Sequence, residues 1–102
     1  MSQAAHDEIM EALAEQLPKV VFRDNAVEML LTDDSEGTVS AMRMVAMIEA
    51  HRRGNDMEAA KEAFKPKYAL EMSLSERMNR CISAFKYIHQ WKGVRTAGMG
   101  KN

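Results

Sequence analysis

The sequence predicts an all-α fold, a compact bundle of four or five short helices around one central apolar helix. Three observations predict it. Apolar residues recur at helical spacing in four separate segments. Capping boxes, an Asn or Ser followed three residues later by Glu, stand at Asn25–Glu28, Asn55–Glu58 and Ser73–Glu76. The run Ala41–Ile48, "AMRMVAMI", has one polar side chain, Arg43, and a helix apolar nearly all round must be covered on most sides.

The first helix is expected over Gln3–Leu17. Ala5, Ile9, Leu13 and Leu17 recur every four residues, with Met10 and Ala12 at the margins and Asp7, Glu8, Glu11 and Glu15 on the other face. Pro18 ends that helix or opens the next, because the residue before proline is pushed out of the α region. Val20–Phe22 has β propensity, while the Asn25 box opens a short helix, Ala26–Leu31; with no second strand to pair, the helical reading of this stretch is favoured. Thr32–Thr38 is an acidic loop. It is not a calcium loop: with Gly37 in the sixth position, positions one and twelve are Thr32 and Arg43, where carboxylates are needed.

The central helix starts near Thr38 or Ser40 and ends at Gly54, the C′ residue. His51, Arg52 and Arg53 sit at its C-terminus, where positive charge suits the helix dipole, and Glu49 pairs with Arg53 at i,i+4. The Asn55 box opens a helix to about Lys65 with Met57, Ala60 and Phe64 as its inner stripe, stopped by Pro66. Residues 66–72 connect it to the longest helix, Ser73 to about Lys92 with Gly93 as C′. A single domain is therefore expected over residues 1–93, followed by a flexible C-terminal tail, residues 94–102.

Composition excludes several function classes. The chain has 102 residues, 46% of them hydrophobic and 28% charged, and a net charge of -1. No apolar run reaches the about 18–20 residues of a membrane span, and the polar, acidic start is neither a signal nor a transit peptide. One cysteine, Cys81, leaves no internal disulfide or multi-cysteine zinc site, so a reducing, cytoplasmic setting is expected. Charge is unevenly spread: residues 1–37 hold nine acidic and two basic side chains, residues 73–102 six basic and one acidic. That asymmetry fits nucleic-acid contact by the basic end, or two ends that lie against each other.

No catalytic set emerges. His6, His51 and His89 are far apart, none at metal-ligand spacing from another His or from Cys81, and there is no phosphate loop or nucleophile elbow. Cys81 lies on an apolar stripe, where cysteine acts as a small hydrophobe. The carboxylates fill solvent faces and a loop rather than a pocket. The "RRGND" turn gives a helix–turn–helix outline, but Asp56 and Glu58 would face phosphates at the start of the second helix, so an αα-hairpin is the better reading. No enzyme, cofactor or metal is expected.

The last helix is the most informative. Leu74, Met78, Cys81, Phe85, Ile88 and Lys92 form a heptad-like buried seam broadened by Ile82. A second stripe, Arg77, Arg80, Ala84, Tyr87 and Trp91, joins cations to aromatics. Three readings stay open for that stripe: a protein interface, a nucleic-acid surface, or the end of the core with Arg77 and Arg80 meeting the acidic first helix. Ten methionines fall largely on apolar stripes, and Met44 and Met47 of the central helix are expected to be covered by a second copy or a partner. The expected function is a non-enzymatic interaction protein, an adaptor, regulator or inhibitor that binds a surface of a larger protein through Arg77, Arg80, Tyr87, Trp91, Met44 and Met47, and that self-associates as a homodimer. The alternative is a nucleic-acid-binding regulator using Arg77, Arg80, Lys86, Lys92 and Arg95 with Tyr87 and Trp91. No membrane contact is expected.

Overall fold

A computed structural model describes residues 3–21 and 35–100, with side chains for 3–20 and 35–93. Five helices form among the described residues: α1 (Gln3–Val21), α2 (Glu36–Arg52), α3 (Met57–Ala63), α4 (Pro66–Glu71) and α5 (Leu74–Gly100), with no strand. The fold is all-α, and α2 is its hub, packed against each of the other four, while α1 also leans on α5. The expected Ala26–Leu31 helix and residues 32–34 of the expected acidic loop lie outside the described residues, while residues 36–38 of that loop are already helix.

Helix α1 does not stop at Pro18. It runs on to Val21 with the proline in its last turns. A proline there forfeits one backbone hydrogen bond, and burial supplies the reason the turn persists: Leu17 is fully enclosed and Val20 packs against the core. The inner face is also turned from the expected one. Met10, placed at the margin by sequence, is fully buried with Leu17, and Leu13 is buried beside them, whereas Ile9 is only half-buried and Ala12 exposed.

Helix α2 begins earlier than Thr38. Ser35 is its N-cap, with Oγ accepting from the Thr38 N–H at 3.5 Å, and Thr38 itself is enclosed. Its other end is as expected. Gly54 has φ 76°, and the pair Gly54 N–H to His51 C=O (3.0 Å) and Asn55 N–H to Ala50 C=O (2.8 Å) is a Schellman closure. This closure explains a shift in the next cap. Asn55 is engaged in ending α2, so Asp56 caps α3, its carboxylate accepting from Glu58 N–H at 2.9 Å and Ala59 N–H at 3.3 Å. Met57 and Phe64 are buried and Ala60 packs beside them, as the stripe predicts, and Arg43 of α2 lies 5.7 Å from the centre of the Phe64 ring.

Residues 66–71 are a helix rather than a connector. Pro66 sits at the start of α4, where its missing N–H costs nothing, so one proline both follows α3 and opens α4. Ser73 caps α5 through Oγ and the Glu76 N–H at 3.2 Å. Helix α5 passes through Gly93 to Gly100, so Gly93 is an interior position and not a C′ residue. Its buried face is Arg77, Cys81, Ala84 and Ile88; Leu74, Met78 and Phe85 are half-buried, and Ile82 is 44% exposed rather than part of the seam. The small side chains at 81 and 84 let α2 approach closely there, with Cys81 Sγ 3.9 Å from Met42 Sδ.

No described helix is long and apolar enough to cross a membrane.

Candidate functional site

The Schellman end of α2 lies beside the middle of α5, and the two helices leave a groove of about 500 Å³ between them. Ile48 and Ala84 supply its apolar part. Glu49, Arg52 and Arg53 come from α2, and Asn79, Arg80, Ser83 and Tyr87 from α5. Residues four apart on a helix share a face, which is why Glu49 and Arg53, and Asn79, Ser83 and Tyr87, look into one groove.

Arg80 is held rather than offered. Its Nε donates to Glu49 Oε2 at 3.0 Å, and its Nη2 donates to Oε1 of the same carboxylate. The hydrogen bond to Glu49, with its charge, raises the guanidinium pKa further against the cost of burial. Glu49 therefore serves Arg80, not Arg53 as i,i+4 spacing suggests. Arg52 and Arg53 are exposed. With Glu49 offset by Arg80, the groove keeps an excess of positive charge from these two.

Tyr87 forms the end wall. Its hydroxyl lies 2.7 Å from His51 Nδ1, and Arg52 sits 5.7 Å from the centre of its ring. Burial pushes the phenol pKa up, against the opposing pull of Arg52. Behind Tyr87 is a ring cluster: His51 faces Trp91 at 6.2 Å and His6 of α1 at 6.5 Å between ring centres.

The sequence-chosen residues do not gather as one stripe. Arg77 is 4% exposed and donates from Nε to the Ala69 carbonyl at 2.9 Å, tying α5 to α4; it belongs to the interior. Arg80 meets Glu49 of α2 rather than a carboxylate of the acidic first helix. Tyr87 reaches the groove, and Trp91 packs half-buried behind it. Met47 is buried by the chain itself, and Met44 is half-buried against the core. Of the alternative nucleic-acid set, Lys86 and Lys92 are exposed and the Arg95 side chain lies outside the described ones. What sequence reasoning passed over is Arg52 and Arg53, assigned wholly to the helix dipole, and His6, which stands at i, i+4, i+7 and i+11 with Met10, Leu13 and Leu17 and so on the core face of α1.

Cys81 lies in the core, where burial pushes its thiol pKa up to about 11, a setting that keeps the protonated, unreactive form. Among the described residues no group of three or more His, Cys, Asp or Glu side chains is arranged to hold a metal ion. The chain matches no family model, no curated protein and no solved structure.

Proposed function

We propose that this chain is a small non-enzymatic interaction protein, of adaptor or inhibitor type, that docks an acidic segment of a larger protein into the α2–α5 groove. The observation that carries this reading is the convergence of exposed Arg52 and Arg53 on a groove walled by Tyr87 and floored by Ile48 and Ala84. Arginine and tyrosine beside an apolar floor are the side chains that dominate protein–protein binding energy. Asn79 and Ser83 add hydrogen-bonding groups for a peptide backbone. The reading favours a carboxylate-bearing peptide over a nucleic acid because Arg77 is internal and Arg80 already satisfies a carboxylate, which removes two of the five cations a phosphate track would use. Self-association loses part of its motive, since Met47 is covered within the chain.

Fluorescence anisotropy with a labelled peptide of alternating Glu and Leu, and with a labelled oligothymidine of matched charge, tests this. The peptide is expected to bind at low salt, and the double variant Arg52→Glu/Arg53→Glu to bind it at least about tenfold more weakly, a loss of about 1.4 kcal/mol. No peptide binding at low salt, or equal binding by the variant, overturns the reading. Tighter binding of oligothymidine, with a steep salt dependence, replaces it by the nucleic-acid alternative.

A further inference from the structure

Where α1 meets the α2–α5 pair, the contact is made by imidazoles rather than by aliphatic side chains alone. His6 of α1 has its Nε2 buried with no hydrogen-bond partner among the described residues. Its ring lies edge-on to His51 at 6.5 Å, and His51 in turn bonds Tyr87 through Nδ1 at 2.7 Å. Charged and titratable groups facing His51 are His6 and Asp7 from α1, Tyr87 from α5, and Arg52 from its own helix, which stands over the Tyr87 ring. Of the two α1 groups, Asp7 favours a positive charge on His51 and His6 opposes it.

We propose that His6, His51 and Tyr87 form an acid-sensitive clasp, in which proton uptake by His51 loosens α1 from the α2–α5 pair. The clasp goes beyond the groove reading and does not depend on what the groove binds. In the neutral His51 tautomer that carries its proton on Nε2, the Tyr87 hydroxyl donates to the unprotonated Nδ1. When His51 is protonated, Nδ1–H becomes a donor. The Tyr87 O–H must then turn away, and a cation is left facing the His6 ring next to Arg52. Burial foremost, and then His6, lower the His51 pKa below the ordinary 6.5, while Asp7 opposes them. The sign follows from linkage. As pH falls below 6.5 the undocked state takes up the proton first, so docking is at full strength above 6.5 and weakens until the lower, docked value is passed.

Trp91, the single tryptophan, gives the readout because its ring lies 6.2 Å from His51 and a protonated imidazole quenches indole emission. Trp91 emission is expected to fall on acidification with a midpoint below 6.5. Over the same window, amide exchange of Met10–Leu17, corrected for intrinsic rates, should rise by up to about tenfold per pH unit, the limit for one proton. His51→Gln, whose amide oxygen still accepts from Tyr87 but does not titrate, should flatten both. His89→Gln, which removes an exposed imidazole against Phe85, should leave both in place. Wild-type pH dependence of α1 exchange in His51→Gln overturns the clasp. Should that variant not fold, proton NMR of the wild type decides: a His51 ring titrating below 6.5 together with shifts of α1 amides supports the clasp, and a midpoint of 6.5 or above, or α1 amides that stay fixed, overturns it.

Discussion

Arg77 and Arg80 are three residues apart and chemically identical, yet they do opposite work. Arg77 is enclosed and its Nε satisfies the Ala69 carbonyl, so truncating it strands a buried acceptor as well as emptying space. Arg80 and Glu49 retain 28% and 21% exposure, and water can replace much of what each loses. Arg77→Ala should therefore lower unfolding free energy by about 2–3 kcal/mol, and Arg80→Ala by about 1 kcal/mol or less, in urea denaturation read by far-UV circular dichroism. Equal costs would place both arginines at the surface. Spacing alone does not separate the pair. It puts both on one flank of α5, and it does not show that Arg77 meets the Ala69 carbonyl of α4 while Arg80 meets the Glu49 carboxylate of α2.

At the scale of the element, the Ser73 cap, the Gly54 closure and the stop before Pro66 were legible, while the Ser35 cap of α2 and the passage of α1 through Pro18 and of α5 through Gly93 were not. Ser73 and the Gly54 closure stand where the sequence puts them, because a cap is a contact between near neighbours and needs no tertiary information. The Asn55 box slipped by one residue because two motifs compete there and Asn55 can serve only one. Pro18, Pro66 and Gly93 were all read as boundaries by local rules. Packing of Leu17 and Val20 carries α1 through Pro18, and Pro66 suits a first helical turn. Gly93 and Gly54 now make opposite predictions. Gly93 is an interior helical position with nothing within 4 Å of an added Cβ, so Gly93→Ala should stabilise the protein by about 0.5–1 kcal/mol. Gly54 also has open space, but its φ of 76° is in the left-handed region, so Gly54→Ala should destabilise by about 1 kcal/mol. Thermal melts of the two variants check this. A lower Tm for Gly93→Ala would mean that α5 ends there after all.

At the scale of the whole molecule, the fold class and the hub were readable because Ala41–Ile48 leaves no polar face to turn outward. The candidate site was not, because it is assembled from two segments about thirty residues apart, each with an adequate local explanation: a dipole cap for Arg52 and Arg53, a helical stripe for Tyr87. The hub has a thermodynamic consequence. Met42 is fully enclosed and touches Cys81 of α5, while α2 as a whole contacts every other described helix. Loss of α2 packing then removes the surface on which all the others rest, and the molecule should unfold as one unit. Met42→Ala leaves a cavity at this contact and should cost about 2–5 kcal/mol. Because the loss is shared, the transition followed by Trp91 fluorescence on α5 and the one followed by total helix content should move together to lower urea, with an unchanged slope. If the Trp91 transition moves while helix content does not, α5 unfolds apart from the rest and α2 is not the common support.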